Sequence, residues 1–241
     1  MISAPPAWAL SRNVHAEVRD PDAPRPRWAE VETVCLDMDG TVLDLSFDNL
    51  FWLEALPRRW GEARGLDASE SYAQLKVRFD AKRGTLDWYC IDHWSEELGF
   101  DVAALKSEMS GHIRYLPGAT RFLDGLRELG KRLLLTTNAH PISLGIKDRQ
   151  TGLGRHFHEI ISSHEFGVPK ESPEFWVRLA LDHGVDPRTT LFVDDSVAVL
   201  TAARSAGVRW IYQVLQPDST QPPHAEIAGF TGIRALADLW P

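Results

Sequence analysis

The stretch "VCLDMDGTVLDL", residues 34–45, sets the apolar run Val34-Cys35-Leu36 ahead of Asp37 and Asp39, followed by Gly40-Thr41 and a second apolar run. A short, continuous apolar run that stops abruptly at polar residues reads as a strand covered on both faces. Two carboxylates at the end of such a strand stand where a charge is costly to bury. The remainder of the chain has to supply what offsets that cost.

Four further runs share the pattern: "RLLLTT" (132–137), "HEIISS" (158–163), "TLFVDD" (190–195) and "VRWIYQV" (208–214). Helical periodicity separates them. "GATRFLDGLRELGK" carries Phe122, Leu123, Leu126 and Leu129 at helical spacing. "SPEFWVRLALDHG" opens on a Ser172 cap with Pro173 in its first turn, and "SVAVLTAARSAG" runs from Ser196 to a Gly207 stop. Strands alternating with helices predict an α/β fold: a doubly wound, Rossmann-like parallel sheet with right-handed crossovers.

Residues 45–116 interrupt that rhythm. They hold helical periodicity and no strand-like run, over a length far beyond one crossover. "NLFWLEALPRRWGEARG", "ASESYAQLKVRFDAKRG", "LDWYCIDHWSEELG" and "VAALKSEMSGHI" read as four helices, a helical cap inserted after the first strand. The core is then 30–44 and 117–241. Residues 1–29, rich in Pro, Ala, Arg and Asp, read as a loosely ordered extension.

The 241 residues are 44% hydrophobic and 25% charged, enough for a sizeable core, and the net charge of −8 argues against nucleic acid or anionic membrane as partner. The two cysteines, Cys35 and Cys90, make no disulfide framework. No apolar stretch reaches the roughly 20 residues of a membrane span, and the N-terminus lacks the pattern of a secretory signal. A cytoplasmic location is expected; the oligomeric state is left open.

The polar residues that end the strands carry the chemistry. They are Asp37, Asp39 and Thr41 after the first, Thr137-Asn138 after the second, Lys170 beyond the third, and Asp194-Asp195 after the fourth. In an open α/β sheet these positions meet in the crevice beyond the carboxyl ends of the strands. Clustered carboxylates repel, and Mg²⁺, bound by oxygen ligands together with a substrate phosphate, removes the conflict. Lysine, hydroxyl and cation can together hold a phosphate dianion. Asp37 then serves as nucleophile and Asp39 as proton carrier. Each element alone has a plainer reading: a turn, a helix cap, a solvated lysine. Their order along one parallel pattern is what favours the chemistry.

The four motifs in this order resemble the haloacid dehalogenase superfamily of phosphohydrolases, over roughly residues 30–216. The resemblance implies that the insert is that superfamily's C1-type cap. It implies Asp37 as nucleophile and metal ligand, and Asp39 as acid/base lending its backbone carbonyl to the metal. Thr137 and Lys170 would hold the phosphoryl group. Asp195 would be the direct Mg²⁺ ligand, with Asp194 acting through water or by orienting Lys170. Asp39 favours phosphate chemistry over dehalogenation. "TLDWYCIDHWSEELG", "LLLTTNAHP" and "FGVPKE" resemble more closely the GMP/IMP-type purine 5′-nucleotidases of that superfamily, which implies a purine nucleoside monophosphate as substrate.

Nine tryptophans is a high count, and most of the cap aromatics (Phe47, Phe51, Trp52, Trp88, Tyr89, Trp94) are expected to form the cap's own core. One or two, Trp52 and Trp88 foremost, are candidates to stack on a base. Thr41, Asn138, Asn49 and His93 are candidates for polar contacts to the substrate, and Asp48 is a further one. His140 either lines the site or makes a local hydrogen bond. His156 and His158 have a metal-like spacing, but no partner ligand lies near them in sequence. Two rivals share the same core: a sugar-phosphate phosphatase or a phosphomutase. A third is a nucleotide-binding sensor without turnover.

Overall fold

The structure, a computed structural model, describes residues 25–240. The expectation for residues 1–24 lies outside them. Six strands, β1 (Thr33–Leu36), β2 (Arg132–Thr137), β3 (Glu159–Ser162), β4 (Thr190–Asp194), β5 (Trp210–Val214) and β6 (Thr231–Ile233), form one parallel sheet in the order β3-β2-β1-β4-β5-β6. The chain works outward from β1 to β3, then returns to β4 beside β1. That reversal opens a crevice at the carboxyl ends of β1 and β4.

Alternation within the strands builds two cores. Val34 and Leu36 face one layer with Leu133, Leu135, Leu191 and Val193, against Phe122, Leu123 and Leu126 of the helix Ala119–Glu128. Cys35 faces the other way with Leu134 and Phe192, against Phe175, Trp176 and Leu179 of the helix Pro173–His183. In register, Cys35 lies between Leu134 and Phe192. β6 escaped the sequence reading because it is short and centred on Gly232. A Cβ there would come within 2.8 Å of Leu215, so the residue that blurs the strand pattern is the one that fits.

The cap contains α1 (Ser46–Leu50), α2 (Leu56–Glu62), α3 (Ala68–Lys82), α4 (Leu86–Tyr89), α5 (Ile91–Leu98) and α6 (Val102–Glu108). A π turn, Phe51–Ala55, joins α1 to α2. There Leu56 N donates to Phe51 O, directly before Pro57, which has no N–H to continue the α pattern. Asp67 and Glu70 form a capping box on α3. The single helix expected for "LDWYCIDHWSEELG" is two, broken at Cys90, whose backbone is extended and whose Sγ accepts from His93 N. The threads entering and leaving the cap run side by side. Leu43 bridges to Tyr115, Asp44 N donates to Arg114 O at 2.9 Å, and Leu116 N donates to Val42 O at 3.0 Å.

The end of the expected extension, at Trp28, is docked on the core. Trp28 Nε1 donates to Leu239 O at 2.9 Å, its ring meets Phe122 edge-on at 6.3 Å, and Lys131 Nζ binds the carbonyls of Trp28 and Val31. Trp28 thus seals the bottom of the sheet, away from the crevice. Trp28→Ala is expected to lower stability by about 1–3 kcal/mol, less than a fully buried aromatic costs because the ring is half exposed. Urea denaturation monitored by circular dichroism will read the shift.

Candidate active site

Lys170 organises the crevice. Its ammonium donates to Asp37 Oδ1 at 2.5 Å, to Asp194 Oδ2 at 2.7 Å and to the Thr136 carbonyl at 2.9 Å, and the residue is 0% exposed. Asn138 Oδ1 accepts from Lys170 N at 2.8 Å and Trp176 Nε1 donates to Lys170 O at 2.8 Å, so the backbone is clamped from both sides. Burial would lower the Lys170 pKa, but Asp194 and Asp37 outweigh it and the net shift is upward. Burial also pushes the Asp37 carboxyl well up; Lys170 opposes this, while Asp194 and Asp195 add to it. Three acids face one lysine, and that imbalance calls for another cation.

The residues present suit Mg²⁺. One carboxylate oxygen from each of Asp37, Asp194 and Asp195 lies within 4.8 Å of the others. Asp37 Oδ2 is buried without a hydrogen-bond partner among the described residues, the kind of oxygen a hard cation takes up. Gly40, at φ +83°, lets the loop pass close to Asp195: a Cβ would stand 2.9 Å from that carboxylate and from Pro217. Asp194 Oδ1 accepts from Ser196 N at 2.7 Å while its other oxygen holds Lys170, which is the orienting arrangement.

Asp39 lies beside a second lysine that the sequence reading missed. Lys147, on the helix Pro141–Thr151, places Nζ 2.6 Å from Asp39 Oδ2 and 2.6 Å from Asp48 Oδ2. The other Asp48 oxygen accepts from Lys106 Nζ of α6 at 2.7 Å. Asp48 thus spends both oxygens on lysines, so the expected contact to a base or ribose gives way to an ion pair. Burial would raise the Asp48 pKa, yet Lys106 and Lys147 hold it far below the ordinary carboxylate range. Burial likewise opposes Lys147, and Asp39 and Asp48 reverse it into an upward shift. Lys106, with only Asp48 close, is lowered by burial. Two buried lysines at helical positions with ordinary flanks leave no sequence signal; only their distance from solvent marks them.

The remaining candidates divide. Thr41 is buried beside the acids, its hydroxyl without a hydrogen-bond partner among the described residues, and Thr137 Oγ1 accepts from Ala139 N at 3.0 Å. Four candidates for substrate contact are engaged within the protein. Asn138 binds Glu171 through Nδ2 at 2.9 Å as well as Lys170 N, and it is fully buried. Asn49 Nδ2 donates to Asp218 Oδ2 at 2.7 Å, tying cap to core. Trp52 and Trp88 are buried in the cap's core around Phe79 and Trp94, with ring centroids 4.9–6.4 Å apart. Their faces serve packing. His93 is half-buried, edge-on to Trp94 at 5.0 Å, and remains a cap residue with a buried, unpartnered Nε2. Tyr89 donates to Glu171 Oε1 at 2.5 Å, a second cap-to-core bond. His140 does make a local contact, accepting from Ile142 N, and faces Asp92 at 3.7 Å. His156 and His158 go separate ways, to Asp124 and to Leu133 N.

The sequence pattern of the haloacid dehalogenase-like hydrolases matches residues 31–207. The chain is 42% identical, over 80% of its length and 86% of the relative's, to the GMP/IMP nucleotidase YrfG of Escherichia coli. It is 28% identical to the glyceraldehyde 3-phosphate phosphatase of Pyrococcus abyssi, over 76% of this chain and 81% of the other. Among solved structures, a HAD phosphatase from Thermococcus onnurineus superposes with a TM-score of 0.72 at 21% identity, covering 87% of this chain and 96% of that one, which speaks for the fold alone.

Asp48→Asn leaves two buried ammonium groups short of an anion and is expected to cost roughly 3–5 kcal/mol, read from the denaturation midpoint at neutral pH. The sign with pH follows from the lowered carboxyl. Its stabilisation is whole above the unfolded-chain value of about 4 and declines as pH falls toward the folded value. The variant should therefore lose less stability than the parent between about pH 5 and pH 3.

Proposed function

The chain belongs to the haloacid dehalogenase-like hydrolase family, and from that premise we propose that it removes the 5′-phosphate of a purine mononucleotide, GMP or IMP, in a Mg²⁺-dependent reaction through an aspartyl-phosphate. The observation that carries the substrate is the 42% identity to a GMP/IMP nucleotidase across most of both chains. A cytoplasmic place suits such a substrate, and among the described residues no helix is long and apolar enough to cross a membrane.

Asp37 attacks phosphorus through one carboxylate oxygen, and the ester oxygen departs as Asp39 gives it a proton. Asp39, now a carboxylate, takes a proton from the water that attacks the acyl phosphate, which frees Asp37 and releases phosphate. Lys170 keeps Asp37 aimed and supplies positive charge to the phosphoryl oxygens, aided by the Thr41 and Thr137 hydroxyls. Asp37, Asp194 and Asp195 would hold Mg²⁺, as would the Asp39 carbonyl; when bound, the ion adds the positive charge that the three acids lack. Lys147 holds the Asp39 carboxylate at a fixed place, and the alternation of Asp39 between acid and base is worked against that ammonium.

Asp37, Asp39, Lys170 and Asp194 are buried with the cap in place, so substrate reaches them only when the cap swings away. The polar contacts that would break include Asn49 to Asp218, Tyr89 to Glu171, Lys147 to Asp48 and His140 to Asp92.

A panel of phosphomonoesters tests the substrate. GMP and IMP should exceed hexose phosphates, glyceraldehyde 3-phosphate and phosphoglycolate in kcat/KM, and the reverse order overturns the assignment while leaving the chemistry intact. Asp37→Asn should reduce kcat by a factor on the order of 10⁴ or more with the fold preserved. Chelation with EDTA should silence turnover and Mg²⁺ should restore it; activity indifferent to EDTA contradicts the charge argument.

A further inference from the structure

A second cluster of donors stands at the edge of the crevice, apart from the aspartates. Cys90 sits at the break between α4 and α5, in the cap. His140 precedes the helix that follows β2, and His164 lies just beyond β3, both in the core. One donor atom from each lies within 4.8 Å of the others. We propose that Cys90, His140 and His164 form a metal site for a soft-leaning divalent cation of the zinc type, bridging cap and core. The proposal stands apart from the choice of substrate.

The donor set is the first argument. Sulfur and imidazole select zinc-like ions, whereas the oxygen cluster at Asp37 suits Mg²⁺, so the two sites take different cations from one solution. Orientation is the second. His164 Nε2 is buried with no hydrogen-bond partner among the described residues, and its ring meets that of His140 edge-on, with centroids 4.8 Å apart. A buried imidazole nitrogen left without a partner is the kind of donor a metal ion takes up. Cys90 Sγ accepts from His93 N at 3.4 Å, which turns the sulfur toward the same space.

Distances are compatible. Bond lengths of about 2.0–2.3 Å put tetrahedral donors roughly 3.3–3.8 Å apart, so the three close on an ion by moving about 1 Å. Ligation through His140 Nε2 places its proton on Nδ1 and gives up the long 3.4 Å contact from Ile142 N. The fourth position is open to water or to Asp92, whose exposed carboxylate lies 3.7 Å from His140 Nε2 and marks the way in. Because the ligands come from both sides of the cap interface, an ion seated there ties the cap down.

The experiment uses the full chain in excess Mg²⁺, titrated with Co²⁺. One equivalent should produce a thiolate-to-cobalt charge-transfer band with the visible bands of a four-coordinate ion, and Zn²⁺ should abolish both by displacement. The band reports Cys90 alone, since the chain's other cysteine, Cys35, is sealed within the sheet. Cys90→Ser should remove the band, and His164→Gln should weaken cobalt affinity at least tenfold. Both variants should keep Mg²⁺-supported turnover. Zn²⁺ should raise the Tm of the parent and leave that of Cys90→Ser unmoved. Absence of the band in the parent overturns the proposal, as does its survival in Cys90→Ser. Should Cys90→Ser fail to fold, unchanged cobalt affinity in His164→Gln overturns it by itself.

Discussion

One ammonium, with no exposed surface, sets the terms for the whole crevice. Lys170 touches Asp37 and Asp194 at once, and it opposes the rise that burial gives both carboxyls. Its placement recruits distant parts of the chain: β1 and β4 present the acids, β2 lends the Thr136 carbonyl, and Asn138 and Trp176 fix the backbone. The sheet order follows from the same need, since only β1 beside β4 brings both acids to one side of the lysine. Even so the charges do not balance, and in the proposed reaction a cation and the substrate phosphate would make up that shortfall.

The core was legible because each level of the sequence agreed with the next. Apolar runs without alternation gave buried parallel strands, and three of them stop at polar residues, Asp37, Thr137 and Asp194, whose positions made them candidates. The cap was legible only in outline. Its helices showed, but Cys90 broke one of them for a reason of local capping, and the burial of Trp52 and Trp88 depended on the tertiary fit of four aromatic rings. Asn49 and Asn138 looked free in the sequence because their partners, Asp218 and Glu171, lie 169 and 33 residues further along the chain. Lys106 and Lys147 were invisible for a different cause: a lysine on a helix reads as solvated until the fold shows an anion beneath it.

Cap and core are held by different physics. Within the cap, edge-to-face aromatic packing makes a rigid unit with its own interior. Between cap and core, ion pairs and hydrogen bonds, which exchange readily for water, lie beside an apolar contact: Phe47 of α1 is buried in the same cluster as Met38 and Ile146 of the core rather than in the cap's own interior. The Lys106–Asp48–Lys147–Asp39 chain crosses that seam at one link, between Asp48 of the cap and Lys147 of the core.

The paired threads at the base of the cap have a mechanical consequence. Leu43 is bonded to Tyr115 on one side and, through its carbonyl, to Gly40 N at 2.7 Å on the other. Any tilt of the cap therefore acts as a lever on the short segment that carries Asp39, while Asp37, one step inside the sheet and bonded to Val193 O, stays anchored. In the proposed reaction the proton carrier is thus geared to the lid and the nucleophile to the frame, so the distance between the two carboxylates would register whether the chamber is shut.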